Sequence, residues 1–152
     1  MSLDPLRRFA RLTSSDRMLL VRAGVLVACV RILLSTRPWP RALRTARALP
    51  FSRRSVARSN SVSPDRLAWA VHHASRFVPA ATCLTQSLAL QCALTAEGFS
   101  SRIQIGVARV GGTFRAHAWV EHDGRTFLSR PGEVRQYARS LTLEATPAES
   151  AR

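Results

Sequence analysis

From residue 63 the order of apolar and polar positions changes character twice. Over residues 64–78, Leu67, Ala70, Val71, Ala74, Phe77 and Val78 recur at the spacing that gathers one face of an α-helix. Ser63-Pro64-Asp65 is a strong opening for it: a hydroxyl cap, a proline at the first helical position and an acid in the first turn. Pro79 closes that segment. A second predicted helix begins at Thr82-Cys83, turns Leu84, Leu88 and Leu94 inward and stops at Gly98. Beyond it the period falls to two. Ile103, Ile105 and Val107 alternate with other residues, as in a strand, and Gly111-Gly112 makes a turn. In the next strand Phe114, Ala116, Ala118 and Val120 take one face and Arg115, His117, Trp119 and Glu121 the other. Asp123-Gly124 is a hairpin signal, and a third strand follows over residues 125–129. Residues 133–141 are predicted as a last short helix. Helices first and an antiparallel meander afterwards make an α+β domain.

The preceding residues read differently. Residues 1–48 are expected to form an arginine-rich, apolar helical arm, capped by Ser14-Ser15-Asp16, opening near Met18 and ended by Pro38 and Pro40. Residues 49–62 are polar, basic and aperiodic, which marks a linker. The domain is then expected over 63–143, with a flexible tail over 144–152. Within the arm, residues 18–34 are very apolar, but Arg22 and Arg31 interrupt them. A spanning helix needs about 20 consecutive apolar residues. Packing on the protein itself or on a partner is therefore the expected role, with peripheral contact at a membrane surface as the alternative.

Charge narrows the partners. The sequence has 23 basic residues, all arginine, against 9 acids, a formal net charge of +14. GC-rich coding gives the same bias without function; as chemistry, arginine favours bidentate contact with carboxylates. The arginines are spread along the chain, and no zinc, helix-turn-helix or RNA-binding motif accompanies them, so nucleic acid is not expected. Cys29, Cys83 and Cys92 are too few and too scattered for a disulfide framework. Cys83 and Cys92 fall on opposite faces of their helix. His72 and His73 are adjacent on a helix and make no chelating pair. No metal or cofactor is expected. With no secretory signal in the first residues, a cytoplasmic protein is expected.

Two residues carry candidate chemistry. Cys83 is placed at a helix N-terminus, where unpaired N–H groups and the helix dipole favour a thiolate. His117 lies mid-strand, away from the face of Phe114, Ala116, Ala118 and Val120. A helix-terminal cysteine facing a histidine from an adjacent sheet is the arrangement by which an imidazole activates a thiol. It is the arrangement of papain-like and transglutaminase-like sites. Cys92, far along the same helix, reads as core.

Residues 63–141 resemble the peptidase domain of lasso-peptide B proteins, the leader peptidases of lasso-peptide maturation. Two segments carry the resemblance, CLTQSLALQCALTAEGFSSRIQIGV and FRAHAWVEHDGR, in the family's order and at about its separation. It implies a transglutaminase-like fold, Cys83 as nucleophile and His117 as general base and later acid. Helix-terminal N–H groups, with Gln86, are the expected oxyanion donors. The family's third member is an aspartate soon after the histidine strand, and here the sequence departs from the pattern. The region reads TFLSRPGEVRQ, and Glu133 is the expected orienter, with Ser129 or a main-chain carbonyl as alternatives. Asp123 reads as a turn residue and Glu121 as a solvated strand end.

The resemblance further implies partners: a ribosomal peptide precursor bound through its leader, a separate leader-recognition protein and a lasso cyclase. No recognition domain is read in residues 1–62, so the chain resembles the stand-alone peptidase form. The expected reaction is hydrolysis of the leader–core amide through an acyl-enzyme. Two other classes stay open: a scaffold that docks the maturation partners, and another acyl-transfer enzyme, transglutaminase or amidase, on the same fold.

Overall fold

The computed structural model describes residues 12–49, 62–130 and 132–145. Four helices come first: α1 (Ser14–Thr36), α2 (Trp39–Arg47), α3 (Pro64–Ser75) and α4 (Cys83–Ala96). Four strands follow, β1 (Ser101–Val110), β2 (Thr113–His122), β3 (Arg125–Phe127) and β4 (Ala138–Ala145), in one antiparallel sheet of order β3-β2-β1-β4.

α4 is the centre. Ser87, Leu88, Ala89, Leu90, Gln91, Cys92 and Leu94 are all buried, so it has no solvent face to balance an apolar one. α1 and α3 pack on it, and Ile103, Ala118, Val120 and Phe127 of the sheet complete the same core. Removing any one of the fully buried leucines of α4 would cost about 2–5 kcal/mol. Thr85, Ser87 and Gln91 are the buried polar residues of α4, and Gln91 links it to its neighbours. Its amide donates to the Leu143 carbonyl at 2.8 Å and accepts from Arg47 at 3.4 Å, tying α4 to β4 and α2.

The expected arm is not separate from the domain. Leu19, Ala23, Leu26, Val27 and Val30 of α1 lie in the common core, so the boundary expected at residue 63 does not divide two cores. α1 opens at Ser14, capped by Thr13, whose hydroxyl oxygen accepts from the Asp16 N–H at 3.2 Å. α1 ends at Thr36, and Pro40 then sits in the first turn of a new helix, α2, where a proline is tolerated. By length and composition α1 alone could cross a membrane, at a mean hydropathy of 2.1, yet one face of it is built into the core. The opposite face, Met18, Val21, Val25 and Ile32, is exposed. Residues 50–61 of the expected linker and 146–152 of the expected tail lie outside the described residues.

Three further expectations change. α3 stops at Ser75, so Phe77 leaves the apolar stripe and is 77% exposed. The helix expected over 133–141 is one 3₁₀ turn, Glu133–Gln136, followed by β4, which pairs with β1 and satisfies its outer edge. Glu121 is not a solvated strand end: it accepts from the Trp119 indole at 3.1 Å and pairs with Arg139 at 3.0 Å.

Topology explains that last change. β3 and β4 lie on opposite edges, so the chain between them must pass from one edge to the other, and Tyr137, just before β4, lies on the face away from the shared core. Tyr137 there packs against Trp119 and His117, with ring centroids 6.3 and 5.5 Å apart. Trp119 is thus fully buried on the second face. Gly106, opposite His117 in register, makes room for the crossing. A Cβ there would meet Tyr137 Cβ at 2.7 Å, Trp119 Cη2 at 3.0 Å and the Ala138 carbonyl at 3.1 Å. Two of these three are backbone or Cβ atoms that no rotamer change can move. Gly106→Ala is expected to cost about 1–3 kcal/mol in chemical denaturation, an overpacking penalty. It should also slow any chemistry at His117, because Tyr137 must back away from the ring.

Candidate active site

The turn before α4 places the cysteine. Ala80 takes a left-handed conformation at φ 56°, and Thr82 is extended, so the chain enters α4 with Cys83 as its first helical residue. The Thr82 hydroxyl oxygen accepts from the Thr85 N–H at 3.3 Å, and the Thr82 carbonyl from Gln86 at 3.0 Å. The first-turn N–H groups of Cys83 and Leu84 have no helical acceptor and point out of the helix end. Cys83 is half-buried and free. The positive end of the helix dipole lies beneath it.

Cys83 and His117 line one cleft of about 520 Å³. α3 contributes Trp69, His72 and His73; α4 adds Gln86; and the segment after β3 adds Leu128, Ser129 and Glu133. His117 comes from the point where β2 passes from fully exposed to buried. Its ring lies 5.5 Å from that of Tyr137 and stacks at 6.1 Å on Trp119. These contacts fix the imidazole plane.

A relay fixes its tautomer. His117 Nε2 lies 3.2 Å from the Ser129 hydroxyl, which donates to Glu133 Oε2 at 3.1 Å. With its proton committed to the carboxylate, Ser129 accepts from the ring, so neutral His117 carries its proton on Nε2. Nδ1 is then the basic nitrogen. Glu133 is fixed in turn by the Arg130 N–H, which donates to the same oxygen at 2.9 Å. This backbone bond, helped by the Ser129 hydroxyl and the nearby His117 and Arg130, holds the Glu133 carboxyl below its usual range against the opposing effect of burial. Of the candidate orienters, Ser129 touches the ring and Glu133 stands one hydroxyl behind it.

The other cysteine on α4 is different in kind. Cys92 is buried, and its thiol donates to the Ala46 carbonyl at 3.5 Å. Burial pushes that thiol up to about 12, with Arg47 offsetting only part. It is a core residue. Asp123, at φ 48°, forms the β2–β3 turn with Gly124, and no contact brings it to the cleft.

Periodicity alone did not bring Trp69, His72 and His73 to the cleft. A signal existed: Trp69 and His73 are one helical turn apart, and the His73 ring bonds the Trp69 carbonyl at 2.8 Å through Nδ1. Among the described residues no cluster of His, Cys, Asp and Glu could hold a metal ion.

The chain belongs to the transglutaminase-like superfamily, whose family model matches residues 23–142. The match begins inside α1 and ends inside β4, so it spans most of the helix-and-sheet unit. The superfamily is one of cysteine-protease-like and acyl-transfer enzymes. No curated protein and no solved structure matches the chain.

The relay sets two expectations. Ser129→Ala and Glu133→Gln should each lower kcat roughly 10- to 100-fold with little change in KM, at or below the roughly 10²–10⁴-fold that an acid–base group itself contributes, because both act through His117. Folding linkage gives an independent readout. A carboxyl lowered on folding stabilises the native state above its unfolded value, near 4.5, and that stability is lost as pH falls through the lower native value. Glu133→Gln should flatten the stability profile in that acidic window, measured by urea denaturation between pH 3 and 6.

Proposed function

We propose that this chain is a leader peptidase that hydrolyses the leader–core amide of a lasso-peptide precursor. The observation that carries the reading is a half-buried cysteine at a helix N-terminus sharing a cleft with a histidine whose far nitrogen is bonded to a Ser–Glu pair. The motif pair around Cys83 and His117 supplies the substrate class, because it resembles lasso-peptide B proteins.

In this mechanism His117 Nδ1 takes the thiol proton and the Cys83 sulfur attacks the scissile carbonyl. The first-turn N–H groups of α4, with the Gln86 amide, bind the developing oxyanion. The tetrahedral intermediate expels the core-peptide amine as His117 returns the proton from Nδ1. The leader remains as a thioester on Cys83. Water, deprotonated by the same nitrogen, releases the leader acid and restores the thiol. The Ser129–Glu133 relay stays hydrogen-bonded throughout and favours the imidazolium without taking its proton. That relay is what favours catalysis over a purely docking role.

The freed core amine is the group a lasso cyclase would consume. Recognition of the leader falls to a separate protein, and the exposed α1 stripe of Met18, Val21, Val25 and Ile32 is the surface this reading gives to it. The chain alone should cleave slowly, and addition of the recognition protein should raise the rate.

Co-expression with the peptide precursors of the same gene neighbourhood, followed by mass spectrometry, tests the reading. A free leader acid and free core amine are expected with the native chain and with Cys92→Ala, and neither product with Cys83→Ala. Acyl transfer to an added amine in place of water would assign the chain to a transglutaminase or amidase. Precursor left whole by the native chain and its partner would leave the scaffold reading.

A further inference from the structure

β2 has an edge that the fold leaves open, and it leads into the active site. β3 is only three residues long and pairs with Val120, Glu121 and His122 alone. Leu128 then takes a left-handed conformation at φ 63° and the chain leaves the sheet to cross its face. No described strand pairs with β2 before Val120 on that side.

The register shows which backbone groups face outward. Both turns are two-residue hairpins, closed by Val110 opposite Thr113 and by His122 opposite Arg125. In such hairpins the flanking residues exchange their backbone hydrogen bonds, and the pattern then alternates along the strand. Thr113, Arg115, His117 and Trp119 therefore spend their N–H and C=O groups on β1. Those of Phe114, Ala116 and Ala118 are directed toward the open edge. Thr113, Phe114, Arg115 and Ala116 are exposed, so among the described residues nothing covers the first half of that edge. Its outward groups stand immediately beside His117.

An open edge with unspent donors and acceptors is a template for another extended chain. We propose that the peptide substrate binds as an added antiparallel or parallel strand on the Phe114–Ala116 edge of β2, which carries its scissile amide to the Cys83–His117 cleft. This rests on the peptidase reading and names how the same site takes its substrate. The occupant is an extended peptide with acidic side chains: Arg109, Arg115 and Arg130 stand exposed around the edge and cleft, and Arg109 lies over the Phe114 ring at 5.6 Å. Strand addition reads backbone, so the cleft wall of Trp69 and Leu128 is left to select side chains.

The test uses the precursor cut in the co-expression experiment, synthesised with a single backbone N-methyl group at each residue in turn around the scissile bond. Native chain with its recognition protein cleaves each peptide. A rise in KM at every second position, roughly threefold to tenfold per blocked bond with kcat nearly unchanged, is the expected result. Ala116→Pro is the protein-side counterpart, because the lost N–H faces outward and β1 pairing is spared. It should raise KM for the unmodified precursor while leaving the rate of Cys83 alkylation by iodoacetamide unchanged. If Ala116→Pro does not fold, the N-methyl series decides alone. Cleavage that ignores N-methyl position, or shows no period of two, overturns strand addition and leaves the peptidase reading standing. An unmodified precursor that the native chain never cuts overturns both. A dimer dissolved by Ala116→Pro assigns the edge to a second copy and also overturns the proposal.

Discussion

The arrangement of the whole molecule follows from burying one helix on every side. α4 has buried residues around its full circumference, so other elements must enclose it: α1, α2 and α3 on one side and the sheet on the other. A helix wrapped in this way meets solvent only at an end. At its N-terminal end stands Cys83, with the charge of the peptide dipoles directed at it and a cleft in front. Cys83 is accessible because of its position along the helix, not because of the face it occupies. The same geometry makes Cys92 inert two and a half turns deeper.

Arginine holds the layers to one another. Arg47 of α2 donates to the Glu144 carbonyl of β4 at 2.7 Å, Arg125 of β3 forms a two-point pair with Asp65 of α3, and Arg139 of β4 pairs with Glu121 of β2. Arg66 of α3 likewise pairs with Asp16 of α1. The exposed pairs add little stability each. What they supply is registration between elements that apolar packing would otherwise leave free to slide. These four arginines are therefore architectural, and others stand exposed around the cleft.

Local pattern carried most of what was legible beforehand. The caps of α3 and α4, both two-residue hairpins and the alternation of β2 all follow from interactions within a few residues, and they suffice to put Cys83 at a helix start and His117 on a strand. Long-range consequences were not legible. β4 reads as polar because only one of its edges is paired and its faces are mostly exposed, so ARSLTLEA shows no apolar alternation strong enough to reveal it. Glu121 looked solvated because nothing nearby in sequence foretells that residues 128–137 will cross the sheet and bury Trp119 beside it. The Ser129–Glu133 pair lies between these cases. Its internal bonds are local, three and four residues apart, whereas its contact with His117 depends on the crossing. α1 misled for another reason: an apolar helix interrupted by arginines reads alike whether its body lies behind it or elsewhere.

The crossing segment also sets an order of events. Cys83 and His117 are complete once β2 has been made, but Ser129, Glu133 and Tyr137 come from the stretch that follows, and β4 pins that stretch by pairing with β1. A chain still emerging from the ribosome therefore holds Cys83 and an unguided His117, and the ring gains these partners only once β4, the last described strand, has been made.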